Sequence, residues 1–287
     1  LFRSFSGTYT RYGFRKDPYA SRHNYGALVS LSSGGVRAYY DGNWANVIGR
    51  WGLQFATELQ TPLYASNFYG LGNETINPEE VLGVSFNRLR QRRVEAGLKL
   101  AWRPNDQFQL LIGPRFSSIR IANTPGRYIE TIADQYPAEI FDGIELLNLE
   151  AGLKFNNVDQ ISFPTRGLRF NLDVGWTDQM DADDYNFPFL ESELALYQQL
   201  DSRGKLVIAT QLGVQHRFTE DFPFFLGARL GGLGPEGNLR GFRRDRFTGR
   251  TAFYHNTDLR WKAFYWNNNA VPMSVGFSVS FDYGKVS

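Results

Sequence analysis

Between residues 166 and 178 apolar and polar side chains alternate one by one. Leu168, Phe170, Leu172, Val174 and Trp176 point one way, and Arg169, Asn171, Asp173, Gly175 and Thr177 the other. Leu147, Leu149, Ala151, Leu153 and Phe155 repeat the pattern against Asn148, Glu150, Lys154 and Asn156. So do Leu206, Ile208, Leu212 and Val214 against Gln211, Gly213, Gln215 and Arg217. Near the end Val271, Met273, Val275, Phe277, Val279, Phe281 and Tyr283 oppose Ser274, Gly276, Ser278, Ser280, Asp282 and Gly284. A period of two belongs to a strand, whereas a helix would gather positions three and four apart. The pattern predicts twelve strands, at 2–16, 23–33, 35–45, 47–59, 92–103, 107–121, 144–157, 166–178, 188–201, 204–219, 251–266 and 271–286. Most reach about 10 residues, well beyond the ~5–6 usual in soluble sheets. A tilted strand needs about 9–11 residues to cross a bilayer.

The connections strengthen that reading. From residue 60 they alternate in length: 60–91, 122–143, 179–187 and 220–250 are long, 104–106, 202–203 and 267–270 short, and 158–165 intermediate. Long loops at one end and tight turns at the other are the habit of outer-membrane barrels, with the long loops outside the cell. A lipocalin-like barrel or a β-sandwich has no reason to segregate loop lengths, and its dry core would not accept Glu95, Lys99, Glu150, Lys154, Asp173, Glu191 and Glu193 on the polar faces. A wide, wet lumen accepts them. The expected fold is therefore all-β, an antiparallel transmembrane β-barrel with about twelve strands in this chain.

Composition changes the picture little. Of 287 residues 16% are aromatic, 29 are glycine and none is cysteine, which suits a protein that crosses an oxidising compartment. The net charge of +2 gives no basic surface for nucleic acid. There is no run of 18 apolar residues for a membrane-spanning helix, and no signal-peptide pattern at the start. The opening residues already read as strand, so a leader is expected upstream.

The 220–250 connection contains Leu239-Arg240-Gly241-Phe242, preceded by Gly231-Gly232-Leu233-Gly234-Pro235-Glu236-Gly237-Asn238. The next strand holds Asn256-Thr257-Asp258-Leu259-Arg260, and the last holds Ser280-Phe281-Asp282-Tyr283-Gly284. By parity Asp258 and Asp282 share the polar face. Together these segments resemble the hydrophobe-Arg-Gly-aromatic loop, the acidic-x-Arg strand and the Phe-x-Asp-x-Gly strand of the BamA/TamA/FhaC superfamily, also called bacterial surface antigens. Ser280 stands where the family has Phe. Phe163-Pro164-Thr165-Arg166-Gly167 resembles the family's Pro-Thr-x-Gly at the start of a mid-barrel strand, and is also good turn chemistry. Asn67-Phe68-Tyr69-Gly70-Leu71-Gly72-Asn73-Glu74 is similar to an aromatic-Gly-x-Gly-Asn loop of some members. It lacks the Lys-Ser/Thr ending of a phosphate loop.

The resemblance implies a sixteen-stranded barrel in the bacterial outer membrane, of which residues 1–287 would be one barrel domain incomplete at both ends. It implies a 220–250 loop folded into the lumen, with Leu239, Arg240, Gly241 and Phe242 at its tip and Asp258 and Asp282 as acidic partners of Arg240. A planar guanidinium in a partly desolvated lumen calls for such carboxylates. The implied function is insertion or export of outer-membrane or secreted proteins, without cofactor or metal. The expected partners are outer-membrane lipid, client proteins and an upstream POTRA or enzymatic domain. Two other functions fit the same architecture: a passive porin-like channel, or the membrane anchor or translocation barrel of a fused periplasmic hydrolase.

Within this chain no enzyme is expected. There is no Gly-x-Ser-x-Gly elbow, and His216 and His255 fall on the apolar faces, where an interfacial girdle explains them better than catalysis. The acidic run Asp178 to Asp184 is a candidate weak calcium site or, more simply, a solvated outer loop.

Overall fold

A computed structural model describes residues 2–14, 16–64, 66–182, 184–233, 237–266 and 273–287. Twelve long strands carry the fold: β1 Phe2–Gly13, β2 Lys16–Ser30, β3 Val36–Ile48, β4 Trp51–Gln60, β5 Arg88–Trp102 and β6 Phe108–Ala122. They continue as β7 Ile144–Asn156, β8 Gly167–Gln179, β9 Asn186–Gln199, β10 Leu206–Arg217, β11 Thr251–Trp266 and β12 Met273–Val286. Each pairs antiparallel with its sequence neighbour, in the order β1 to β12. Such a meander curls because strands twist, and closure is what removes its edges in lipid. Among the described residues β1 and β12 do not pair with each other.

The alternation sets the two faces. Leu98, Leu100, Ile112, Leu149, Val174 and Trp176 lie outward and exposed, as a surface in contact with hydrocarbon requires. Aromatic pairs ring the end with the short turns: Trp51 faces Trp102 across β4 and β5, and Phe108 faces Phe155 across β6 and β7. The inward faces of β3 to β8 line a polar cavity of about 710 Å³. Its charges are interlocked rather than loose. Lys99 Nζ lies 2.6 Å from Glu150, whose other oxygen takes Arg115, and Arg37 makes a two-pronged pair with Glu58 at 2.8 and 2.9 Å.

Glycines on these faces make room for aromatic rings on the next strand. A methyl group at Gly213 would lie 2.1 Å from the ring of Tyr254, its register partner, and one at Gly175 would lie 2.6 Å from Phe189. The ring lying over Gly213 lets Tyr254 donate to Glu193 at 2.9 Å. Gly213→Ala is expected to push this ring out and lower stability by about 1–3 kcal/mol, the usual cost of overpacking. Urea unfolding in detergent micelles would show it, and an unchanged midpoint would count against the packing argument.

At the other end the long connections fold into a compact apolar cap. Phe68, Ile129, Ile132, Ile140, Phe224 and Phe225 from three loops pack with Ile119, Ile121, Ile144 and Leu146 at the tops of β6 and β7. The Phe224 ring is 1% exposed and stacks on Phe68 with centroids 4.3 Å apart.

The early boundaries differ from the alternation reading. The alternation reading leaves 17–22 between two strands, yet these residues lie within β2, and the turn falls between Gly13 and Lys16, which pair. The register shifts beside them, so Pro18 sits in a bulge, where its missing N–H does no harm. Likewise β3 runs past residue 45 to Ile48 through a second irregularity, with Asn46 left-handed at φ 50°. The short turn expected at 267–270 lies outside the described residues.

Candidate functional site

The long connection 218–250 between β10 and β11 does not stay at the rim. Ala228–Leu230 pairs antiparallel with Phe247–Gly249, and this short ribbon carries the tip, residues 231–246, down the inner wall. Gly234, Pro235 and Glu236 of the tip lie outside the described residues. Asn238 holds the bend with its side chain, accepting from Gly231 N–H at 3.0 Å and donating to the Arg229 carbonyl at 2.8 Å. Gly241 takes φ 84°, a conformation that disfavours any residue with a Cβ.

The tip is anchored by one apolar and one ionic contact. Leu239 is 3% exposed and packs with Leu230, Ala252, Tyr254 and Val286. A side chain at Gly284 would meet Leu230 at 3.0 Å and Leu239 at 3.3 Å, so that glycine lets the loop lie directly on β12. One residue on, the Arg240 guanidinium reaches both acids. Its Nε donates to Asp282 at 2.7 Å, Nη2 takes the other Asp282 oxygen, and Nη1 donates to Asp258 at 2.7 Å. The Arg240 backbone N–H adds a bond to Asp282 at 3.0 Å. Asp258 divides its oxygens, giving one to Arg240 and the other to Arg260 at 2.8 Å. Ser280, in the place of the family's Phe, accepts from Nη1 at 3.2 Å. A hydroxyl thus substitutes polar contact for a ring.

This geometry fastens the loop tip to β11 and β12. The fork satisfies Asp282 in two-pronged fashion and Asp258 at one oxygen, the arrangement that favours Arg over Lys. Hydrogen bonding to Asp282 and Asp258 raises the already high pKa of Arg240, so the guanidinium keeps its charge at every attainable pH. Phe242, the last residue of the motif, is half-exposed. Its ring lies edge-on to Phe247, 5.2 Å away, on the rising arm of the ribbon.

Several contacts of this loop have no counterpart in the sequence motifs. Arg217, 8% exposed at the top of β10, donates to the Leu226 carbonyl and to Glu191, both at 2.7 Å, and so fixes the loop where it leaves the wall. Arg246 donates to Thr75 through Nη1 at 2.6 Å and lies between the rings of Tyr69 and Phe247. Arg243 makes a two-pronged pair with Glu79. A crowd of arginines at 240, 243, 244, 246 and 250 was the one signal in the sequence, but it names no partners.

The remaining candidates are structural in their contacts. Thr165 of the Pro-Thr-x-Gly segment donates its backbone N–H to Asp159 at 2.9 Å and its hydroxyl to the other oxygen at 2.5 Å, closing the turn before β8. These bonds hold the Asp159 carboxyl low, at about 2. His216 bonds Thr251 at 2.8 Å and His255 bonds Thr257 at 2.9 Å, both on outward faces. Of the acidic run, Asp178 accepts from Asn186 at 2.9 Å, and Asp183 lies outside the described residues.

Comparison with known proteins follows the same lines. The Omp85 superfamily domain matches residues 84–287, which span β5 to β12 and the whole lumen loop. No curated protein matches the chain significantly. Among solved structures, BamA from Haemophilus ducreyi lacking POTRA domains 1–3 shares the fold, with a TM-score of 0.60 at 15% identity. The match covers 99% of this chain and 57% of that one, so the chain spans little more than half the length of the solved relative. Barrel strands, lumen loop and domain match agree: the chain belongs to the Omp85 superfamily of outer-membrane assembly and translocation barrels.

Proposed function

We infer that this barrel inserts or exports other proteins at the bacterial outer membrane, its long loops facing outward and its short turns facing the periplasm. The observation that carries the reading is the lumen loop held by Arg240 on Asp282 and Asp258. A porin lumen is a water-filled channel, whereas other barrels carry a plug of loop or helix. Here a loop occupies the lumen and is fastened, through charge, to the last described strand of the wall. The work proposed needs no cofactor. Client strands or segments would be handled by the wall and the loop, with lipid around them and a periplasmic partner domain delivering them.

The polar cavity of about 710 Å³ gives some support to a second reading, a porin-like channel. Depletion of the protein in its own host separates the two. Loss of other outer-membrane barrels is expected for insertion, and loss of a secreted protein for export. Unchanged levels of both, together with stable open conductance steps in planar bilayers, would overturn the proposal in favour of the channel.

A further inference from the structure

We propose that Asn73, from the loop between β4 and β5, is a strand stop that ends pairing along the edge of β12 remote from β11. Ser287 exchanges both backbone hydrogen bonds with Thr251 of β11, at 2.9 and 3.0 Å. Backbone groups alternate in direction along an antiparallel strand, so the N–H and C=O of Val286 point away from β11, toward the opposite edge of β12. Both are occupied by one side chain. Asn73 Oδ1 accepts from the Val286 N–H at 2.9 Å, and Nδ2 donates to the Val286 carbonyl at 2.5 Å.

A carboxamide has one acceptor and one donor side by side, which is what the backbone of a neighbouring strand would offer at that position. Asn73 therefore fills the place of one residue of a next strand. By the same alternation Gly284, Asp282, Ser280 and Ser278 direct their backbone groups to that edge, with no such side chain upon them among the described residues. A strand added there is stopped below Val286.

The loop that supplies Asn73 is itself held. Gly72 N–H donates to the Thr248 carbonyl at 2.8 Å, and Thr75 accepts from Arg246. Phe68, at its base, is clamped in the apolar cap. The stop is thus built against the same ribbon that carries Arg240, and it joins positions 213 residues apart.

Amide exchange of the full-length protein in micelles tests this. In Asn73→Ala the Val286 amide is expected to exchange at least ~10-fold faster, while the Ser287 amide, bonded to Thr251, keeps its rate. Unchanged exchange at Val286 would overturn the proposal, since another strand would then hold that edge. Equal acceleration at Ser287 would also overturn it, as the loop would merely steady the strand end. Asn73→Asp, which keeps an acceptor for the Val286 N–H, is expected to retain most of the protection. Protection lost equally in both variants would sink the pairing role, and the Asp variant serves alone if Asn73→Ala does not fold.

Discussion

Arg240→Ala is expected to release the lumen loop from β12 while the strand wall stays assembled. The variant strips Asp282 of two bonds from the guanidinium and Asp258 of one, and leaves the two acids side by side without the intervening cation. The Asp282 side chain is 11% exposed and that of Asp258 15%, so neither carboxylate is freely hydrated; Arg240 itself is 32% exposed, so water screens part of the loss. The docked state should weaken by roughly 2–4 kcal/mol, between the limits for exposed and buried pairs. Arg260 still neutralises one oxygen of Asp258, so the damage concentrates on Asp282. Arg240→Lys should restore only part of the docking, because an ammonium cannot reproduce the fork. Limited proteolysis within 231–246 gives the readout: rapid cleavage in the alanine variant, with the wall resistant. A tip as resistant as in the unaltered protein would show that Leu239 and the ribbon hold the loop unaided.

Phe224→Ala should have an effect of similar size in the apolar cap formed by the long connections. The ring is almost wholly buried, stacked on Phe68 and within 4.9 Å of Tyr136. Truncating such a ring costs about 3–5 kcal/mol through lost transfer energy and the cavity left behind. The surrounding loops cannot close that gap easily, since Ile129, Ile132 and Ile140 belong to short turns fixed by their own backbone bonds. Local opening of the cap is therefore expected before loss of the wall. Planar-bilayer recordings should show larger or more frequent current steps than the unaltered protein gives. Identical recordings, with the same thermal midpoint, would refute a sealing role for the cap.

The strand wall was readable because every wall strand has one face in lipid and one in water, which imposes strict alternation on the side chains. From β7 onward the boundaries drawn from alternation lie within about two residues of those observed. The first hairpins shifted because Asp17-Pro18 and the residues near Asn46 carry turn chemistry but are used in bulges. Arg240, Asp258 and Asp282 could be assembled from a loop motif and two parities, which place both acids on one face. The contacts of Asn73, Arg217 and Arg246 could not. They depend on the path of long irregular loops, where no periodicity links a residue to its partner. Gly284 was visible as part of a motif, yet its reason, room for Leu230 and Leu239, appears only once the loop lies on the strand.

The position of β12 has a kinetic consequence. Both Asp282, which receives Arg240, and Val286, which receives Asn73, lie on β12, so each contact is completed only when β12 has taken its place on the wall. Contacts 42 and 213 residues apart must first meet the entropy of closing those loops, so they are expected to form after the rate-limiting step of folding. Interactions absent from that step act instead on the rate of unfolding. The lumen loop and the Asn73 clasp would then slow the departure of β12 far more than they speed its arrival, a ratchet that keeps this strand on the wall once it has docked.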